Sequence, residues 1–314
     1  MQLSEQQQLA LDSIRKWMSS DGKQVFRLFG YAGTGKTTIL KQLVSNDTIF
    51  VAYTGKAAQV LQEKGIFAQT IHSLIYIPTQ KSAKNLRMLQ DELAQDPENE
   101  QLKEEVRLET ERLNSPNWEI NTKSAAYDAR LIVVDEASMV GKSMGEDLLS
   151  FNTKVLVVGD PAQLPPVGSA GFFTNKRPDY LLTEVHRQAS NSPVLQLATR
   201  IRKSIPLEYG DYGTSQVLKK GTLTAADLSE FDQVIVGTNA TRRVINADIR
   251  AQLGRQGLPV AGDKVICLRN NADMGLMNGG LWNVLSCDII DEGKIALIVG
   301  NSETKIATIA WRHY

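Results

Sequence analysis

A chain that contains VFRLFGYAGTGKTTIL, Val25 to Leu40, has few ways to fold around it. Val25, Phe26, Leu28 and Phe29 form the short apolar run expected of a buried strand. Gly30-Tyr31-Ala32-Gly33-Thr34-Gly35-Lys36-Thr37 follows and matches G-x-x-x-x-G-K-[ST] at every fixed position. Thr38, Ile39 and Leu40 then read as the opening of a helix. Strand, glycine loop and helix come in the order that a phosphate cradle requires.

The residue types fit that chemistry. Polyphosphate oxygens need many donors at close range. Glycines at 30, 33 and 35 let successive backbone N–H groups turn inward toward an anion. The amides of Thr34, Thr37 and Thr38 and the positive end of the following helix add to the cradle. Lys36 can reach the β- and γ-phosphates, and the Thr37 hydroxyl can ligate Mg²⁺. The expected cofactors are ATP and Mg²⁺.

At 314 residues the chain has room for about two domains. Thirty-five basic residues balance thirty-five acidic ones, which disfavours a general polyanion-coating role and leaves a local basic groove open. The two cysteines, Cys267 and Cys287, lie in no metal or redox motif and read as packing residues in a reducing compartment. No apolar run reaches membrane-spanning length, and the N-terminus reads MQLSEQQQ, unlike a basic-then-apolar leader. The expectation is a cytoplasmic protein with no membrane partner.

Before the glycine loop, Ser4 caps an amphipathic helix. Gln7 is then either an ordinary helix residue or a ligand for the adenine edge. Beyond the loop, Thr48–Tyr53 is a second strand, ending in Thr54-Gly55-Lys56, with helix over 57–64. Thr70-Ile71-His72-Ser73-Leu74 opens another helix. Residues 79–116 are polar, with leucines at helical spacing around a turn at Asp96-Pro97-Glu98-Asn99, and predict a helical hairpin within an arm at about 78–120. The arm is either a solvated insertion or a contact for a partner. Leu131–Val134 is a strand that delivers Asp135 to the metal shell and Glu136 to the attacking water. Lys154–Val158 delivers Gln163, a neutral amide suited to sensing a γ-phosphate. Arg187, in LTEVHRQ, is a candidate arginine finger. Repeated strand–loop–helix units predict an α/β fold with a mostly parallel sheet.

In order, GYAGTGKTT, YTGKAA, TIHSLIY, VVDEAS, GDPAQLPPVG and LTEVHRQ resemble the motifs of superfamily 1 DNA helicases, most closely the 5′→3′ RecD-like branch that includes the phage Dda helicases. VIVGTNATRRVIN and GDKVICLRNN resemble the start of that family's second motor domain. The resemblance implies a RecA-like P-loop domain over 1–176 and a partial second RecA-like domain over 177–314. It places a small β-rich insertion from about 276, with Phe231–Val236 and Lys264–Leu268 as strands of the second sheet. It also implies an ATP-driven translocase on single-stranded DNA and ss/ds junctions, acting in replication, recombination or repair. By motif position, Lys36, Glu136, Gln163 and Arg187 are catalytic, and Thr54, Lys56, Thr70, His72, Thr238 and Asn239 lie on the DNA path. Trp118, near the base of the arm, reads as a packed tryptophan in preference to a strand-splitting wedge.

The family continues with a motif like H-K-S/A-Q-G and a second arginine finger, neither of which occurs before Tyr314. The resemblance therefore implies a partly represented helicase that by itself hydrolyses ATP poorly even with DNA. A nucleotide-gated DNA- or protein-binding module with little turnover is the alternative. A small-molecule kinase explains GKTT but leaves GDPAQLPPV and LTEVHRQ idle.

Overall fold

The computed structural model describes residues 3–78, 84–114, 118–166, 170–184, 192–268, 274, 276, 279–291, 294–300 and 305–311. The chain divides into two compact units, the first Met1–Tyr53 with Ala57–Glu184 and the second Thr54–Lys56 with Val185–Tyr314.

The first unit is built on a sheet of six strands: β1 (Val25–Gly30), β2 (Thr48–Ala52), β3 (Ala68–Thr70), β6 (Leu131–Asp135), β7 (Lys154–Gly159) and β8 (Tyr180–Leu182). Their order across the sheet is β3-β2-β6-β7-β1-β8. Every ladder in it is parallel. Two of the strands, β3 and β8, have only three residues and carry no periodicity of their own. Because β8 pairs with β1, Leu28 opposite Tyr180 and Gly30 opposite Leu182, the first unit runs to Glu184 and does not stop at 176.

Alternation along the strands makes two cores. Leu131 and Val133, with Leu156 and Val158, bury against Leu11 and Ile14 of α1 (Glu5–Met18) and Leu61 of α3 (Gly55–Glu63). Ile132 and Val134, with Val155 and Val157, face the other way onto Ile71 and Ile75 of α4 (Ile71–Ile75) and Leu148 of α7 (Lys142–Leu149). A sheet apolar on both faces needs helices on both, and the chain supplies them.

The predicted hairpin forms as α5 (Lys84–Gln95) and α6 (Glu100–Asn114). Asn99 Oδ1 accepts from the Gln101 and Leu102 amides at 3.1 and 3.2 Å and caps α6. Leu86, Leu89, Leu93, Leu102 and Val106 are half-buried, and the outer faces carry exposed pairs such as Lys103–Glu100. At its base, β4 (Tyr76–Pro78) pairs antiparallel with β5 (Trp118–Ile120).

The second unit departs from expectation. Phe231–Val236 is not a strand: no strand of the described residues lies beside it, and Ile235 is 89% exposed. An apolar run becomes a parallel strand only where neighbours complete its ladder. A short antiparallel ribbon joins β9 (Gly210–Tyr212) to β10 (Ser215–Val217). Residues Lys264–Ile266 do form a strand, β11, but in a four-stranded antiparallel sheet with β12 (Leu281–Asp291), β13 (Lys294–Gly300) and β14 (Lys305–Trp311). The β-rich region thus begins at Lys264, earlier than 276, and the only larger sheet among the unit's described residues is antiparallel. Along β13, Ile295, Leu297 and Val299 are buried while Ile298 is exposed, the period-two pattern of a sheet with one wet face.

Gly30 ends β1 against β8. A Cβ there would stand 2.7 Å from Thr34 Oγ1 and 2.9 Å from Leu182 Cβ, an atom fixed to the neighbouring strand. Gly30→Ala is expected to lower stability by about 1–3 kcal/mol. Urea denaturation checks this, and an unchanged midpoint would show that the loop has slack.

Candidate functional site

All strands of the first sheet are parallel, so their carboxyl ends share one edge, where such folds bind ligands. The loop from Gly30 to Gly35 leaves β1 at that edge. Gly35 has φ 76°, in the left-handed region, and caps α2 (Lys36–Lys41) with no side chain of its own in the way. Lys36 Nζ donates to the carbonyls of Gly30 at 2.7 Å and Tyr31 at 3.2 Å, which folds the lysine back over the loop.

Asp135 ends β6 opposite Ala52 of β2. Its pKa rises from 3.8 to about 6, first through burial and then through the neighbouring Glu136 charge, while a backbone hydrogen bond from Glu136 and the charges of Lys36 and Lys64 oppose the rise. The Lys36 charge thus lies near enough to act on the Asp135 carboxylate. Glu136 sits at φ 52°, ψ 43°, a left-handed conformation uncommon for a glutamate. Strain of this kind clusters at sites where side-chain direction matters.

Gln163 joins this group indirectly. Buried Ser138, two residues past Glu136, donates from Oγ to Gln163 Oε1 at 3.4 Å. The backbone of β7 approaches the same turn, with a Cβ at Gly159 standing 3.8 Å from the Ala137 amide nitrogen. Asp160, buried, accepts from the Ala162 amide at 2.9 Å and shapes the loop that carries Gln163. Sequence reading passed over Ser138, although VVDEAS contains it.

Gln7 is 2% exposed and tied to the glycine loop. Its Oε1 accepts from the Ser4 amide at 3.0 Å in a capping box, and its Nε2 donates to the Thr34 carbonyl at 3.1 Å. Gln6, which sequence reading also passed over, accepts at Oε1 from the amides of Thr183 and Glu184, each at 3.0 Å. The first turn of α1 thus holds both the glycine loop and the chain leaving β8. Arg187 lies outside the described residues.

Of the residues expected on the DNA path, Thr54 follows β2 and Lys56 stands in the first turn of α3. Thr70 ends β3 and caps α4, its Oγ1 accepting from the Ser73 amide at 3.1 Å. His72 is on α4, half-buried, with its pKa lowered by burial. Thr238 caps the helix Asn239–Gln252 in the second unit, so Thr238 and Asn239 are exposed at a helix start. Trp118 is 46% exposed and so is not the packed core tryptophan expected.

Comparison with known proteins decides the family. Residues 2–219 match the family described as AAA domain. The chain belongs to the AAA domain family. The chain is also similar to the ATP-dependent RecD2 DNA helicase of Deinococcus radiodurans, at 30% identity over 223 residues. That match covers 67% of this chain and 25% of the Deinococcus protein. An uncharacterised protein, R530, of Acanthamoeba polyphaga mimivirus is 27% identical over 178 residues, covering 52% of this chain and 33% of that protein. The chain thus spans a quarter to a third of the curated relatives it matches.

Among solved structures, one of two coordinating Pif1 helicases at forked dsDNA matches with a TM-score of 0.51 at 20% identity, covering 99% of this chain and 80% of that one. A Bacteroides Pif1 helicase with ADP-AlF3 and ssDNA matches with a TM-score of 0.50 at 19% identity, covering 98% and 74%. These likenesses show the fold, and the parallel sheet around the glycine loop is RecA-like. No helix among the described residues is long and apolar enough to cross a membrane.

Proposed function

We propose that this chain is the nucleotide-hydrolysing part of a superfamily 1 DNA helicase of the RecD-like branch, coupling ATP hydrolysis to 5′→3′ movement on single-stranded DNA and strand separation at ss/ds junctions. The observation that carries the reading is the convergence of Lys36 with Asp135 and Glu136 at one sheet edge, with Gln163 tethered to the same turn. The AAA domain match and the similarity to the RecD2 helicase support it.

In this reading the amides of the loop, Gly30 to Thr38, and the Lys36 ammonium bind the phosphates, while Gln7, buried with its amide engaged by Thr34 and Ser4, fixes the loop and does not itself meet the adenine edge in this arrangement. The residues present suit Mg²⁺: Thr37 and Asp135 would hold it, and no cluster of three His, Cys, Asp or Glu occurs among the described residues to suggest an all-protein metal cage. When bound, the ion supplies charge neutralisation at the phosphate oxygens. Glu136 orients the water and takes its proton. Gln163 senses the terminal phosphate, and Arg187 stabilises its charge. Thr54, Lys56, Thr70, His72, Thr238 and Asn239 grip the DNA backbone without reading sequence. The setting is the cytoplasm of a bacterial or phage-infected cell, with replication or recombination proteins as partners.

ATP hydrolysis by the 314-residue chain, with and without an unstructured oligonucleotide, tests the proposal. The expected result is turnover that EDTA removes and that stays slow with DNA, whereas a version extended past Tyr314 is stimulated by DNA. Turnover at background in both cases, with DNA affinity that still changes on nucleotide binding, would assign a gated binding module instead.

A further inference from the structure

Gln6 and Gln7 are neighbours in the first turn of α1, and each ties down a different segment of the first unit. Gln7 Nε2 donates to the carbonyl of Thr34, a glycine-loop residue only 1% exposed. Gln6 brackets the chain leaving β8. Its Oε1 accepts from the Thr183 and Glu184 amides, each at 3.0 Å, and its Nε2 donates to Thr183 Oγ1 at 3.1 Å. The two segments also meet directly, since the Tyr31 amide donates to the Leu182 carbonyl at 3.4 Å. Within the loop, Thr34 donates to the Tyr31 carbonyl from its amide at 3.3 Å and from Oγ1 at 2.9 Å. These bonds close a ring that runs from Gln6 through Gln7, Thr34, Tyr31 and Leu182 to Thr183 and back.

The geometry makes α1 the firmer route between the loop and the end of β8. The direct Tyr31–Leu182 bond is near the outer limit for an N–H···O contact, whereas the glutamine bonds, at 3.0–3.1 Å, lie within the usual range. A glutamine gives up much rotamer freedom when it is fixed, and three bonds acting together hold the half-buried Gln6 in one pose. The ring also contains a group that phosphate would disturb. Lys36 Nζ donates to the Tyr31 carbonyl at 3.2 Å, the same carbonyl on which Thr34 bonds. A phosphate that draws the ammonium to itself takes one donor from that carbonyl and engages the loop amides. The loop then has fewer arrangements open to it, and a restriction of this kind passes to whatever the loop holds. Glu184, on the far side of the ring, is the last residue of the first unit, and Arg187 follows three residues later in the sequence.

We infer that Gln6 is a positioning residue that passes the state of the glycine loop to the chain leaving β8, with Gln7 as its link to the loop. The inference rests on the nucleotide reading under Proposed function and adds a consequence of binding. With phosphate on the loop, Thr183 and Glu184 open less often.

Amide hydrogen exchange read at single residues, with and without ADP and Mg²⁺, tests this in the 314-residue chain, Gln6→Leu and Gln6→Glu. In the unsubstituted chain ADP is expected to slow exchange at Thr183 and Glu184 roughly fivefold, the scale of one net hydrogen bond. Gln6→Leu is expected to bind ADP within about twofold of the unsubstituted chain, since Gln6 touches no loop atom, and to lose the slowing. Gln6→Glu keeps acceptor oxygens for both amides and is expected to keep the response. A plain brace would let both amides exchange faster in Gln6→Leu and leave the ADP response intact, and that result overturns the relay. So does an unsubstituted chain that binds ADP with no change at either residue. Failure of the unsubstituted chain to bind ADP overturns the nucleotide reading and the relay together.

Discussion

Lys36→Ala is expected to reduce ATP turnover by about 10²–10³ or more while the domain stays folded. In the proposed site the ammonium is the cation that the glycine loop delivers to the phosphates, and it is held over the loop by the Gly30 and Tyr31 carbonyls. Removing it takes away two partly buried hydrogen bonds, a loss on the order of 1 kcal/mol because those carbonyls can turn to water. Catalysis loses far more. A positive charge aimed at developing charge in a sheltered cleft acts at lower dielectric than bulk water, and nothing must reorganise when the reaction occurs. Lys36→Arg is expected to restore little, because a planar fork presents its charge differently from a compact ammonium on a flexible stem. Steady-state hydrolysis, read beside a urea denaturation curve, separates the two effects. Full activity in Lys36→Ala, or a stability loss large enough to explain the missing activity, would remove the loop from the chemistry.

The same loop shows how far sequence alone reaches. Local chemistry was legible: a glycine loop between strand and helix needs no tertiary information, and Asp135 follows a four-residue apolar run that buries on both faces. Capping was legible too, since Ser4 and Gln7 stand three apart and make a capping box. The second role of Gln7, holding the Thr34 carbonyl, is a contact across sequence that no local pattern encodes. Short strands were invisible for a related reason. Three residues of β8 or β4 carry no periodicity, and their extended form comes from a ladder partner far along the chain. Phe231–Val236 shows the converse: it has the composition of a strand, and no neighbouring strand among the described residues gives it a ladder. Trp118 looked like a core residue because most tryptophans are largely buried. The structure leaves it 46% exposed, on a two-stranded ribbon of three-residue strands that no local pattern announces.

Asp135→Asn is expected to do two things that pull apart: abolish Mg²⁺-dependent hydrolysis and stabilise the nucleotide-free domain at neutral pH. Burial is the main cause of the raised Asp135 pKa, and the Glu136 charge adds to it. The folded value, about 6, lies above the ordinary 3.8, so the folded chain holds this proton more tightly than the unfolded chain does. The stabilising contribution of Asp135 is therefore complete below about pH 4 and is lost as the pH rises to about 6. At pH 7 the domain keeps a carboxylate where its surroundings disfavour one. The rise corresponds to at most about 3 kcal/mol, less what solvent at the strand end screens. An amide of the same shape carries no charge to desolvate or to repel Glu136. In EDTA, the urea midpoint of Asp135→Asn should exceed that of the unsubstituted chain at pH 7 by the equivalent of about 1–3 kcal/mol, and the two should converge near pH 4. A gap that stays constant across this range would mean that the substitution acts through packing. A less stable variant at pH 7 would mean that the attraction to Lys36 and Lys64 outweighs burial and repulsion, so that the carboxylate is held by its partners and not merely tolerated. A carboxylate that its surroundings disfavour, at a strand end and within reach of the Lys36 charge, fits the proposed metal–phosphate site, where that charge would hold the ion.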